Sequence, residues 1–190
     1  MKKAFNFLIP IGVIALFFFL LIYVANINKR NKENKILENG KSTFATILYC
    51  GNKDGNFVSV EYFVNDKKYL TKIGAPSNEY QENEQIEIVY NVAEPANVLA
   101  HFYNMKFNNN IDFKEIEATI INNVATKIKA GNNSIKMLTY EYAVNGVKYT
   151  RTNQILITDD NKYSIGNKIL ILYNTNNPKS SIFTGNRTNN

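Results

Sequence analysis

Phe44–Tyr69 (FATILYCGNKDGNFVSVEYFVNDKKY) and Val124–Tyr149 (VATKIKAGNNSIKMLTYEYAVNGVKY) are the two stretches whose comparison decides the fold. At a shift of eighty residues, without a gap, ten of the twenty-six pairs are identical: Ala45/Ala125, Thr46/Thr126, Gly51/Gly131, Asn52/Asn132, Glu61/Glu141, Tyr62/Tyr142, Val64/Val144, Asn65/Asn145, Lys68/Lys148 and Tyr69/Tyr149. After a three-residue insertion the match resumes, with Tyr80, Ile86, Ile88, Tyr90, Asn91 and Pro95 on Tyr163, Ile169, Ile171, Tyr173, Asn174 and Pro178. Self-similarity at one spacing marks a tandem duplication, here of a unit of about seventy residues.

Each copy reads as β structure. Val58, Val60, Tyr62 and Val64 alternate with Ser59, Glu61 and Phe63; Leu138, Tyr140, Tyr142 and Val144 alternate with Thr139, Glu141 and Ala143. Period two with branched and aromatic residues on one face is the pattern of a half-buried strand. Asn145-Gly146 supplies the two positive φ angles of a type I′ hairpin, and Asn65-Asp66 holds the same place in the first copy. Further strands are expected at Gln85–Asn91 and Lys168–Asn174, at Val98–Phe102 and Ser181–Thr184, and ahead of each hairpin. In those first strands Phe44, Thr46 and Leu48, and Val124, Thr126 and Ile128, are the expected inward positions. The strand Ile169-Leu170-Ile171-Leu172 is apolar on both faces and predicts cover on both. About five short antiparallel strands per copy make a small barrel or sandwich.

Working outward to the amino end, Phe5–Val24 is an uncharged run of twenty residues interrupted only by Asn6, Pro10 and Gly12. A helix of about twenty residues reaches across a bilayer's hydrocarbon, about 30 Å. The run exceeds the core of a cleavable signal peptide, and Tyr23-Val24-Ala25-Asn26 makes a poor small-x-small cleavage site. An uncleaved transmembrane anchor is therefore expected. Lys29, Arg30, Lys32, Lys35 and Lys41 follow the helix and argue for a cytoplasmic carboxyl side. The short amino tail with Lys2 and Lys3 argues against its own export, and on balance an extracytoplasmic domain is expected.

Charge separates the two regions. Residues 1–41 hold seven basic and two acidic residues, a net of +5, whereas the whole chain carries +6. The basic character is thus juxtamembrane and suits anionic headgroups. The near-neutral body lacks the basic face that nucleic-acid binding needs, so no nucleic-acid partner is expected. One Cys and one His rule out a disulfide framework and a Cys- or His-based zinc cluster.

Candidate chemistry is sparse. Cys50 could act as a nucleophile only with His101, the one imidazole, and no pattern brings the two together. Glu79, Glu82, Glu84 and Glu87 form an acidic stretch, and Asp159-Asp160-Asn161 a second; neither has the spacing of a calcium loop, and both read as solvated loops. Glu61 and Glu141 recur at one position beside Lys68 and Lys148, which reads as a cross-strand ion pair; the competing reading is a hydrolase using these two carboxylates. Tyr62, Tyr69, Tyr90, Tyr142, Tyr149 and Tyr173 read as core packing rather than as a base-stacking platform. No catalytic residue, metal site or cofactor is expected.

Ala45-Thr46-Ile47, then Val60–Tyr69, then Ile86-Glu87-Ile88-Val89-Tyr90-Asn91 with Pro95, resemble a family of bacterial membrane-associated proteins, the "domain of unknown function" numbered thirty-five ninety-two. Tyr140–Tyr149 and Gly166–Pro178 carry the resemblance in the second copy. Asp66 and Asn83 stand where that family usually has Gly. The likeness covers about residues 40–102 and 118–184, implies a membrane helix beside a β domain, and assigns no activity.

The expected architecture is all-β: two tandem small antiparallel barrel or sandwich repeats behind an amino-terminal transmembrane helix. The divisions are 1–28 (anchor), 29–41 (basic linker), 42–104 (first repeat), 105–122 (linker or short helix), 123–185 (second repeat) and 186–190 (disordered tail). The expected function is a non-catalytic, single-pass binding or scaffolding module of the bacterial inner membrane. It would contact the bilayer through Phe5–Val24 and a protein partner through loops 51–56, 74–83, 131–134 and 158–167. A toxin-immunity or secretion accessory protein is the more specific alternative.

Overall fold

The computed structural model describes residues 2–53, 55–77, 79–108, 110–130, 133–157 and 163–185, with the side chains of residues 2–13, 15, 37 and 129 outside that description. A helix, α1 (Lys2–Asn39), precedes ten strands: β1 (Gly40–Gly51), β2 (Phe57–Val64), β3 (Lys67–Gly74), β4 (Glu84–Asn91), β5 (Val98–Phe107), β6 (Phe113–Ala130), β7 (Asn133–Val144), β8 (Val147–Ile157), β9 (Lys168–Asn174) and β10 (Asn177–Phe183). They form two five-stranded antiparallel sheets, ordered β3-β2-β1-β4-β5 and β8-β7-β6-β9-β10. The second sheet curls until β8 and β10, its outermost strands, approach one another.

Local chemistry explains the hairpins. Asn65 and Asp66 both have positive φ (49° and 62°), as do Asn145 and Gly146 (51° and 79°), so both β2–β3 and β7–β8 turn through type I′ geometry. Asn83 (φ 68°) and Gly166 (φ 90°) likewise take left-handed backbone just before β4 and β9. An Asn accepts this conformation at modest cost, which is how the first half dispenses with glycine there.

Pairing register corrects the ungapped alignment. Ala45 faces Ile86 in the first sheet and Ala118 faces Ile169 in the second. Thr46 faces Glu61, and Thr119 faces Glu141. The counterparts of Ala45-Thr46-Ile47 are therefore Ala118-Thr119-Ile120, not Ala125-Thr126-Lys127. Fifteen positions separate Thr46 from Glu61 and twenty-two separate Thr119 from Glu141, so the β6–β7 hairpin is seven residues longer than β1–β2. Extension at the open end of a hairpin leaves the rest of the ladder in register, and the repeated Ala-Thr allowed both alignments.

The inward phase of the first strands is also corrected. Ala45 and Ile47, and Ala118 and Ile120, are buried, whereas Leu48, Val124 and Ile128 are exposed. A slip of one residue moves every side chain to the other face. Residues 113–122, expected as linker or short helix, belong to β6. Ile116, Ala118 and Ile120 alternate with Glu115, Glu117 and Thr119 at period two, and Ile116 and Ala118 pair with Ile171 and Ile169 of β9. Residues 29–39, expected as linker, continue α1, whose Ile36 is 3% exposed near the start of β1.

Leu172 is buried as expected, and with Ile182 it joins the core of the first sheet, but Leu170 is 55% exposed. The strand is thus covered on both faces only at its carboxyl end. The expected membrane span, Phe5–Val24, begins in the part of α1 whose side chains lie outside the described residues. Among the described residues no helix is long and apolar enough to cross a membrane. The loop 158–162 with Asp159-Asp160-Asn161, and the tail 186–190, lie outside the described residues.

Candidate functional site

The acidic stretch is not a solvated loop. Glu84, at the start of β4, is 0% exposed, and Arg151 in β8 is 1% exposed. Arg151 Nη2 donates to both carboxylate oxygens of Glu84, at 2.9 and 2.7 Å. Ser180 Oγ donates to Glu84 Oε1 at 2.6 Å and the Gln81 backbone N–H donates to Oε2 at 3.0 Å. Arg151 Nη1 donates to the Glu79 carbonyl, and the Thr152 backbone N–H donates to the Glu79 carboxylate. Segment 79–84 of the first half thus grips β8 of the second. A buried carboxylate persists only when its lone pairs are satisfied in this way.

Arg151 escaped the sequence reading, although a signal was present. Along β8 the inward series is Tyr149, Arg151, Asn153, Ile155 and Ile157, and a guanidinium at an inward position demands a buried acceptor. Burial by itself would lower the Arg151 pKa, but the Glu84 carboxylate overcomes it and the net direction is upward. The Tyr80 ring lies 5.6 Å from the guanidinium. Nearby, the Tyr140 hydroxyl donates to Asn153 Oδ1 at 2.5 Å and lies 3.0 Å from Ser181 Oγ. Burial raises the hydroxyl pKa of both Tyr80 and Tyr140.

Several contacts recur in both sheets. The Tyr62 hydroxyl donates to the Pro95 carbonyl at 2.6 Å, and Tyr142 donates to the Pro178 carbonyl. Tyr62 stacks on Tyr69 with 5.6 Å between centroids, and Tyr142 on Tyr149 with 5.7 Å. Tyr90 and Tyr173 are partly buried against the two cores. Glu61 pairs with Lys68, and Glu141 with Lys148 at 2.9 Å. The repeated carboxylates are therefore held in cross-strand ion pairs.

Cys50 and His101 line different depressions. Burial, followed by the charge of Glu84, pushes the Cys50 thiol up to about 11. His101 Nδ1 lies 3.2 Å from Glu87 Oε2, to which Asn104 Nδ2 donates at 3.0 Å. Burial would raise the Glu87 pKa, but the bonds from Asn104 and His101 and the charge of His101 hold it below the usual carboxylate range. The Tyr103 ring stacks on the imidazole at 5.1 Å.

His101 opens onto a cleft of about 750 Å³ between the sheets. One wall is Ala100–Tyr103 of β5 with Gly74 and Pro76; the other is Ile128, Ala130 and Ile135 of the β6–β7 hairpin with Gln154 and Leu156 of β8. Of the expected contact loops, 74–83 contributes Gly74 and Pro76 to this cavity, while Ala130 and Ile135 line it on either side of 131–134, whose residues 131 and 132 lie outside the described residues. Glu82 sits away from it, in a more polar depression with Tyr49, Cys50, Asn83 and Asn174. Among the described residues no three His, Cys, Asp or Glu side chains gather to hold a metal ion.

Two similarly ordered antiparallel sheets, clasped by a buried ion pair and leaving an open cleft, define an all-β protein of paired five-stranded units. Residues 117–188, the stretch of the second unit, match the family described as Domain of unknown function (DUF3592). No curated protein and no solved structure matches the chain.

Proposed function

We propose that the protein is a non-catalytic, single-pass binding or scaffolding module of a bacterial envelope, built from two copies of that domain behind a membrane anchor. The observation that carries the binding reading is the inter-sheet cleft, where loop 74–76 meets the β6–β7 hairpin. A second copy of the family in residues 40–107 is supported by the shared strand order, the paired type I′ turns and the Tyr-to-Pro hydrogen bonds. Anchoring is supported by the uncharged run Phe5–Val24 and by Leu16 through Ile22, every one of them exposed along α1. Seven consecutive apolar residues facing outward on all sides of a helix suit a lipid environment. An inner-membrane placement with the β units extracytoplasmic is supported by Lys2 and Lys3 ahead of the run, and is opposed by the basic residues Lys29 to Lys41 that follow it. A non-catalytic role is supported by the engagement of Glu61 and Glu141 with lysines and by the raised Cys50 pKa.

Two measurements test this. The protein should stay with membranes in alkaline carbonate and leave them in detergent, and release by carbonate refutes the anchor. Full-length protein in detergent should recover a protein partner that is lost when the hairpin 126–136 is shortened to the length of β1–β2. Equal recovery by both refutes binding through the cleft.

A further inference from the structure

Residues 25–39 (ANINKRNKENKILEN) hold no Gly and no Pro, and α1 runs through them without a break to Asn39. The next residue, Gly40, already belongs to β1 and pairs with Asn91 of β4. The chain thus passes from helix to ladder in a single peptide unit. No flexible linker separates α1 from the first sheet.

The join is also packed. Ile36 is buried, and α1 touches β1, β4 and β5. A Cβ added at Gly40 would run into the Ile36 carbonyl and the Val89 side chain, so the two backbones approach as closely as glycine allows. Lys32, Lys35, Glu38 and Asn39 line one depression with Val92, Ala93 and Glu94 of the turn after β4. Contact at Ile36 alone would fix a point. A shared surface reaching back to Lys32 fixes a direction.

We propose that α1 and the first β unit form one rigid strut, which holds the β units at a set height above the bilayer instead of leaving them on a loose tether. The inference rests on the anchor reading and adds its geometry. From Val24, the end of the uncharged run, to Asn31, the last residue ahead of the shared surface, is seven residues, a helical rise of about 10 Å. The headgroup layer takes up about 5–7 Å of it. The near end of the first unit, where Asn65 and Pro95 border one depression, therefore stands just clear of the headgroups. Lys29 and Arg30 fall in the free stretch and reach anionic headgroups, whereas Lys32 and Lys35 lie beside the β unit. A partner that turns the β units turns the membrane helix with them.

The test uses the full chain carrying Cys50→Ala, with spin labels at Asn31→Cys and Leu70→Cys, exposed positions of α1 and β3. Pulsed distance measurement in detergent micelles should give one narrow distribution. Four Gly-Ser residues inserted between Asn39 and Gly40 should broaden it about twofold or more. A spread of about 10 Å or more without the insertion, the range of a flexible four-residue link, overturns the strut, and that arm does not depend on the insertion folding. Height is read in vesicles with a dye on the lipid headgroups and a donor at Leu70→Cys. A seven-residue Ala-rich helical block after Ile27, two turns that keep the helix phase, adds about 10 Å and should lower energy transfer. Transfer unchanged by the block, in protein that still resists carbonate, overturns the set height and leaves the anchor standing. Release by carbonate overturns anchor and height together, while the micelle distances judge the join separately.

Discussion

Glu84 and Arg151, sixty-seven residues apart in the chain, form a two-oxygen ion pair from which water is almost wholly excluded. It is one of the points at which the first half of the protein is fastened to the second, alongside the packing of Leu172 and Ile182 into the first core. Breaking a buried pair costs far more than replacing it, because the surviving charge is left without a partner. Glu84→Gln and Arg151→Met should each destabilise the chain by about 3–5 kcal/mol, and the double change Glu84→Leu with Arg151→Met should recover most of the loss. Urea unfolding of the three variants checks this, and equal losses in single and double variants would refute it.

The Tyr-to-Pro bonds tie each hairpin to the segment after its sheet's fourth strand, the turn at Pro95 in one sheet and the start of β10 at Pro178 in the other. Tyr142→Phe removes a donor from the Pro178 carbonyl and should cost about 1–3 kcal/mol, with a similar loss for Tyr62→Phe at Pro95. Because the two sites lie in different sheets, the double variant should lose the sum, as denaturation midpoints at constant slope will reveal.

Acid should act through Glu87. Its folded pKa lies below the ordinary value, so its contribution to stability is present above that ordinary value and is lost as pH falls through the folded one. Glu87→Gln should therefore flatten the acid limb of a stability profile between neutral pH and about pH 3 while changing little of its shape above about pH 6. An unchanged acid limb would contradict the hydrogen-bonded placement beside His101 and Asn104.

The Cys50 thiol, raised to about 11, should be slow to react. At pH 8 an exposed cysteine carries roughly a hundredfold more thiolate, so alkylation of folded protein should lag behind that of the urea-unfolded chain by about that factor. Equal rates would place the thiol in open solvent.

Much of the second unit could be read without coordinates. Asn145-Gly146 fixes the sign of two φ angles by its own sterics, and Leu138 to Val144 declare their face by alternation. The first strands resisted because β1 and β6 carry apolar residues in both phases. Phe44 and Leu48 compete there with Ala45 and Ile47, and only pairing with β4 settles which face is covered. Glu84 sat among Glu79, Glu82 and Glu87 and looked like its neighbours. Nothing local distinguishes it, since its acceptor role depends on Arg151 and Ser180 arriving from the other half of the chain.

From its residues alone the chain determined its turns, its strand periodicity and the uncharged run near its amino end. These depend on backbone sterics and on neighbours one or two positions away. Tertiary structure decided the register of the first strands, the burial of Glu84 against Arg151, and the opening of a cleft where β5 of one sheet meets a long hairpin of the other. Each of those depends on how two curved surfaces meet across space, and separation along the chain carries no record of that.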